Sequence, residues 1–289
     1  MDIFRKKRKL TPLLLVLPSC IFIGVLFCSL IFLFPLSLHE SGGVGEIKSG
    51  VTLFQYYRFI KDSHYLSYIT LSFRVSLLAT LAALLLGYPM AYLLHRTSVR
   101  LRRILTLLLL MQFLSNYVMR MYALMLVLGN NGAINRNLLD VGVLDKPIRL
   151  MYNEFGVGVG LVVGSLAFIV FPIQSCLSNI DRSLEEAAQS LKANKIYTFW
   201  KITFPLSLPG VAAGVVLAFL FNLSAYVTPT ILGGGHFNMI ANFIFQRILE
   251  VFDYPLGSAA AFLLLGLAYM IVFSINKAFK VFVKGTTAK

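Results

Sequence analysis

Few residues in this chain could do chemistry, and their placement says which kind. Glu185, Glu186, Gln189 and Lys192 stand together in EEAAQSLKANKIYTFWKITFPLSLPG, residues 185–210, between two runs apolar enough to live in lipid. Arg120 is the main charge inside an apolar run, with Ser115, Asn116, Tyr117 and Tyr122 around it. Asn222, Ser224, Tyr226 and Thr228 form a second polar group. No Ser/His/Asp set and no paired-carboxylate constellation accompanies them. His39, His64, His95 and His236 are scattered, and no His/Cys spacing suits a metal. Cys20, Cys28 and Cys176 lie in apolar runs; an odd number there argues for small packing residues rather than a disulfide framework. The pattern G-x-x-x-x-G-K-[ST] is absent, so the chain has no nucleotide-binding P-loop of its own. The expectation is a protein that is not an enzyme and holds neither metal nor cofactor.

Those residues must be positioned by membrane helices. Of 289 residues, 58% are hydrophobic and only 13% charged, against roughly 25% charged in soluble domains. No polar stretch is long enough for an independent soluble domain, so residues 1–289 read as one transmembrane domain. About 20 apolar residues cross a bilayer as a helix, and six stretches qualify: about 12–37, 68–94, 104–128, 156–180, 208–232 and 257–278. The first is too long for the apolar core of a signal peptide and lacks a small-x-small cleavage site, so it reads as an uncleaved span. Short alternating strands are missing, and lipid leaves helices as the way to satisfy the backbone. The fold class expected is all-α integral membrane.

The net charge of +14 follows from topology rather than from nucleic-acid binding. With the N-terminus in the cytoplasm, the inner segments hold 17 Lys and Arg and the outer segments 7, with Arg74 and Arg120 in or near spans. Eight of the twelve acids fall outside. Both termini are therefore expected in the cytoplasm, and the 181–207 segment with them.

That segment has helical periodicity. Leu184, Ala187, Ala188 and Leu191 lie at i, i+3, i+4 and i+7, one apolar face. Asp181 or Ser183 can cap the N-terminus, where Glu185 and Glu186 suit the positive helix end. A second amphipathic stretch carries Ile196, Phe199, Trp200 and Thr203, and Pro205 and Pro209 are expected to break it before the fifth span. By periodicity alone the segment is either an amphipathic loop lying on headgroups or a docking face.

The residues resemble a known loop. Glu186-Ala187-Ala188, then Leu191, Ala193, Phe199, Ile202, Pro205-Leu206 and Pro209-Gly210, look like the EAA loop of binding-protein-dependent ABC importer permeases. The family carries a glycine six residues after the Glu, where this chain has Lys192; the departure bears on the tightness of a bend between two helices. The resemblance extends through Leu86-Gly87-Tyr88-Pro89-Met90-Ala91-Tyr92, Arg120-Met121-Tyr122-Ala123, Gly132-Ala133-Ile134-Asn135, Pro147-Ile148-Arg149-Leu150, Asp181-Arg182-Ser183-Leu184 and YVTPTILGGG, residues 226–235, all similar to the spermidine/putrescine branch.

The resemblance implies a type I importer transmembrane domain of the bacterial inner membrane. It implies as partners a second permease subunit, two ATPase subunits that bind ATP and Mg, and an extracytoplasmic binding protein. Glu185, Glu186, Ala187, Ala188, Leu191 and Lys192 would contact the ATPase, and Gly233, Gly234 and Gly235 would reach toward the binding protein, unless they only turn the chain. Asn116, Tyr117, Arg120, Tyr122, Asn222 and Tyr226 are candidates for the solute path, with helix packing as the alternative for each and snorkelling for Arg120. A straight third span starting near Ile104 would carry Arg120 about 24 Å along its axis. Polyamine is the solute the branch suggests; an opine, amino acid or other small organic solute is the alternative. No Asp or Glu lies well inside a span, which weakens a proton- or sodium-coupled carrier as the different class.

Overall fold

A computed structural model describes residues 2–190, 192–235 and 237–287, with the side chains of all but 2–15, Arg182, Glu185, Gln189 and 280–287. The described residues are helical apart from loops and one isolated antiparallel bridge, Ser41–Ile47. They group into two compact units, Met1–Ser63 with Ile244–Leu263, and His64–Phe243 with Leu264–Lys289. Five helices are long and apolar enough to span a membrane: Val16–Ser37, Ser63–Arg96, Glu154–Ser178, Lys195–Leu223 and Tyr254–Phe279.

The smaller unit contains helices α1 (Asp2–Ser37) and α2 (Phe54–Lys61) and the start of α13 (Tyr254–Thr287). From Val16 to Phe34 the apolar side chains of α1 are almost all uncovered by the chain, as suits a helix facing lipid or another subunit. The Ser37 hydroxyl meets the Tyr56 hydroxyl at 2.8 Å, and Phe34 packs edge-on against Phe262 at 5.3 Å.

The larger unit holds α3 (Ser63–Arg96), α4 (Val99–Leu114), α5 (Tyr117–Leu128), α6 (Ala133–Asp140) and α7 (Glu154–Ser178), then α8 (Arg182–Ser190), α9 (Lys195–Thr198), α10 (Phe204–Leu223), α11 (Val227–Leu232) and α12 (Ile240–Phe245). Small residues bring its helices together. Lipid gives no hydrophobic drive between helices, so close backbone approach and polar contacts must do the work. On α3 the buried positions Ser72, Ser76, Ala79, Thr80, Ala83, Gly87 and Ala91 make a stripe. On α7 the glycines 156, 160 and 164 recur every fourth residue. A Cβ on Gly160 would lie 2.6 Å from Leu232 and Thr228, and one on Gly164 3.0 Å from Tyr117 and Phe221. Gly210 and Gly214 do the same on α10 against α7, where a Cβ on Gly210 would come within 2.7 Å of the Pro172 carbonyl oxygen. This spacing was visible in the sequence and is the signal that the reading from spans and polar groups passed over.

Two expected spans differ in shape. The third, expected as 104–128, is two helices, α4 and α5, bent by 100° in the pair that runs on to Asp140. Ser115 and Asn116 are extended (ψ 150° and 123°), and the Asn116 side chain accepts from the N–H groups of Val118 and Met119. A residue that caps a new helix ends the old one. The straight-helix placement of Arg120 is thereby overturned. The fifth, expected as 208–232, ends at Leu223 and restarts at Val227. Conversely, Pro205 and Pro209 do not break the segment before it. Helix runs continuously from Lys195 to Leu223, because a π turn, Phe199–Thr203, precedes Pro205. The Phe204 N–H reaches back to the Phe199 carbonyl, and Pro205 falls at the first turn of α10, where a missing N–H costs little.

Candidate functional site

The hairpin between α7 and α10 is built by local rules. The Asp181 carboxylate accepts from the Ser183 N–H at 3.0 Å and caps α8; that hydrogen bond holds its carboxyl below the ordinary Asp range. Helix α8 ends in a left-handed turn. Lys192 has φ 61°, and the Ala193 N–H bonds the Ala188 carbonyl at 3.0 Å, the six-to-one bond of a Schellman ending. The bend that a glycine would make is therefore made by a lysine, at a cost of about 1 kcal/mol. Asn194 then caps α9, accepting from the Tyr197 N–H at 2.6 Å.

With its backbone satisfied internally, the hairpin leaves side chains uncovered. Glu186 and Ala187 are exposed, Ala188 is half-buried, and Leu184, Ile196, Tyr197 and Trp200 are exposed. Glu185 lies in α8, its side chain outside the described set, and Leu191 lies outside the described residues. An apolar face with small residues at its centre and a carboxylate at its rim suits a docked protein surface. Phe199 and Phe204, both half-buried, pack toward Tyr88 and Tyr92 of α3.

The candidate path residues separate into two kinds. Some meet at a junction where the breaks after α4 and α10 approach one another. Tyr117 donates or accepts a short hydrogen bond with Thr228 of α11 and packs edge-on against Phe221 of α10 at 5.6 Å. The Arg120 guanidinium lies over the Tyr117 ring, 5.2 Å from its centre, and its Nε and Nη1 are buried without an acceptor. Arg120 does not simply snorkel; it is folded back on the junction. Asn116 is spent on the α5 cap. Tyr226 is half-buried beside the second break, its carbonyl accepting from Asn242, and Tyr122 is not brought in, being 52% exposed.

Asn222 is of the other kind. It is fully buried, and its Nδ2 donates to Thr80 of α3 at 3.1 Å and Ser165 of α7 at 3.4 Å. Both hydroxyls give their own protons to backbone carbonyls, of Ser76 and Leu161, so both must accept, which fixes the orientation of the amide. Asn222 is a clamp of three helices rather than an open lining residue. Arg74, expected near the end of the second span, is likewise engaged, in an ion pair with Glu154 at the start of α7.

The three glycines after α11 do separate jobs. Gly233 approaches the Pro229 carbonyl closely, Gly234 has φ 63° and lies against the Tyr152 ring, and Gly235 has φ 77° with open space beside it. Only Gly234 combines a left-handed backbone with a covered Cβ position. The Tyr152 N–H bonds the Leu232 carbonyl at 2.9 Å, so this turn and the α6–α7 loop form one surface.

Comparison with known proteins gives a consistent result. A family described as binding-protein-dependent transport system inner membrane component matches residues 5–284. The spermidine/putrescine transport system permease protein PotB of Escherichia coli (strain K12) is 37% identical over 215 residues, 74% of this chain and 78% of that protein. Among solved structures, a bacterial ABC transporter involved in the import of the acidic polysaccharide alginate has a similar chain (TM-score 0.80, 16% identity, 97% of this chain and 99% of that one). The bacterial alginate ABC transporter in complex with alginate pentasaccharide-bound periplasmic protein gives a TM-score of 0.75 at 17% identity, covering 96% of each. At such identities these two likenesses are of fold alone.

Proposed function

The chain belongs to the binding-protein-dependent transport system inner membrane components, and from that premise we propose that it forms half of the path of an ATP-driven polyamine importer. Its termini and the 181–203 hairpin face the cytoplasm, as the 17-to-7 distribution of basic residues supports. A second permease subunit completes the path, and two separate ATPase subunits bind ATP and Mg. An extracytoplasmic binding protein delivers the solute to the surface made by Tyr152 and the glycine turn. The observation that carries the substrate class is the 37% identity over 215 residues with the spermidine/putrescine permease.

The ATPase contact is the uncovered hairpin face, with Ala187 and Ala188 at its centre and Glu186 on its polar side; Glu185 and Leu191 are assigned to the same contact from the sequence motif alone. Lys192 holds the turn. On the path, Arg120 and Tyr117 line the junction of broken helices, with Asn116 and Tyr226 beside them; Asn222 holds that junction in place and Tyr122 faces a neighbour. One observation favours a second reading. The unpaired donors of Arg120 suit a carboxylate better than a dication, which points to an amino acid or opine.

The test is ATP hydrolysis by the complete importer in nanodiscs, with binding protein charged with spermidine, putrescine or an amino acid. Stimulation only by polyamine-charged binding protein is expected; stimulation only by an amino acid would replace the substrate class. In the same assay Ala187→Trp and Glu186→Lys should lose the bound ATPase while the permease still inserts. Retained ATPase binding and transport in both variants would remove the hairpin from the dock.

A further inference from the structure

The hairpin's hidden side makes a connection that its exposed face does not explain. Phe199, the first residue of the π turn, packs edge-on against Tyr92 at 5.2 Å and Tyr88 at 6.0 Å. Phe204 packs against Tyr88 at 5.7 Å. The Ser207 hydroxyl donates to the Phe204 carbonyl, so it accepts from the Tyr88 hydroxyl, 3.0 Å away. Arg96, one turn beyond Tyr92, donates to the Tyr92 hydroxyl at 3.1 Å. The lower part of α3 is thus joined to the base of the Lys195–Leu223 helix by a stack of rings and a hydrogen bond.

Two further features set this stack at a place that can bend. Pro89 lies inside α3, directly after Tyr88. It has no N–H for the Leu85 carbonyl, so the helix is weakened there. Just before it, Gly87 is pressed on Ile169 of α7, where a Cβ would come within 2.7 Å. Above this level α3 is held to α7 and to α10, the latter through Thr80 and Asn222. Below it, α3 is tied to the hairpin through Tyr92, shares a buried cluster with α7 through Ala91 and Leu94, and gives its Leu94 and His95 carbonyls to Arg102 of α4, so the elements that move with the hairpin include α4. The π turn, a break in helical register found often at functional sites, lies at the same level as the stack because Phe199 belongs to both.

We propose that Tyr88 and Tyr92 are positioning residues that receive the movement of the hairpin through Phe199, so that the Pro89–Arg96 end of α3 swings with it about Pro89. This rests on the importer reading and names the route by which the docked ATPase would reach the second span. Aromatic pairs of this geometry give a directional contact beyond the area they bury. Because the Lys195–Leu223 helix is continuous, a displaced hairpin that lost the stack would still carry α10 but no longer α3.

The experiment uses the assembled importer in nanodiscs and compares the parent with Phe199→Ala, Phe199→Tyr and Tyr88→Phe. In Phe199→Ala the ATPase should stay bound with unchanged basal hydrolysis. Stimulation by charged binding protein should fall about fivefold or more, the scale of a typical coupling between sites. Phe199→Tyr, which keeps the ring, should restore it, and Tyr88→Phe should fall between. Spin labels on Leu93 and Tyr197, both exposed, should keep one distance through the ATP cycle in the parent and lose it in Phe199→Ala. Stimulation in Phe199→Ala equal to the parent, or a Leu93–Tyr197 distance that changes with ATP in the parent, overturns the proposal. A parallel loss of basal and stimulated hydrolysis also overturns it, since that marks a folding role. If the parent is stimulated by no charged binding protein while its ATPase is active, the importer reading fails first, and this proposal fails with it.

Discussion

The hairpin of residues 181–203 and the clamp at Asn222 handle polar groups in opposite ways. In the hairpin each loose backbone group is satisfied within a few residues: Asp181 to Ser183, Ala193 to Ala188, Asn194 to Tyr197. Such a segment keeps its shape with little help and leaves a face free for another protein. In the clamp, the Asn222 Nδ2 is bonded by residues 142 and 57 positions away, while its Oδ1 is buried without a donor. It has no shape until three helices have assembled, and then it presents no face to another protein. The difference teaches where a moving part can be placed. A locally closed element can be pushed as a body, whereas a buried network fixes the elements that must not slide.

That contrast predicts unequal responses to substitution. Asn222→Ala removes the amide and opens a void among three helices. A loss of about 2 kcal/mol is expected, read as a lower unfolding midpoint of the detergent-solubilised protein with the hairpin's hydrogen exchange unchanged. Faster exchange in the hairpin as well would join the two regions and break the comparison. Lys192→Gly relieves the left-handed strain and should stabilise the turn by about 1 kcal/mol. Amides 188–193 should then exchange about fivefold more slowly, the global midpoint staying put. A turn that exchanges faster in the glycine variant would show that the lysine side chain, not the backbone, holds it.

The smallest effect expected is at the cap. Asp181→Ala should weaken only the first turn of α8. The folded-state carboxyl of Asp181 is held below its ordinary range by the Ser183 N–H. The cap is therefore complete at neutral pH, where the group is ionised in both states, and is lost as pH falls through the depressed folded value. Exchange at Ser183 and Leu184, corrected for intrinsic rates, should rise on acidification in the parent and be flat with pH in Asp181→Ala. A variant that keeps the parent's pH dependence would assign it to another group.

Much of this was legible in the chain itself. Six apolar runs, the basic asymmetry around them and the helical spacing of Leu184, Ala187 and Ala188 follow from side-chain type and period, which act over a few residues and need no partner. The cap was legible as Asp181 or Ser183, and the structure takes Asp181. The breaks at Ser115–Asn116 and Ser224–Tyr226 were not legible, because both runs are apolar enough overall to span, and a polar residue within such a run can as well pack between helices as end one. The prolines misled for a related reason: a π turn at Phe199–Thr203 leads straight into Pro205 and the helix continues, and no residue type announces a π turn. Lys192 could be recognised as standing where a glycine would be easier, but only the backbone shows that the bend is made regardless.

The sequence by itself determined the class of molecule, its apolar runs and the amphipathic segment that interrupts them after the fourth. These are set by composition and local periodicity. Only the tertiary structure decided what the polar residues inside the spans do. It folded Arg120 back over Tyr117, spent Asn116 on a cap, buried Asn222 as a clamp and left Tyr122 facing away. The physical reason is that a buried polar group takes its role from the donor or acceptor it meets. Those partners come from helices distant in the chain, brought close by glycines whose only message is their spacing.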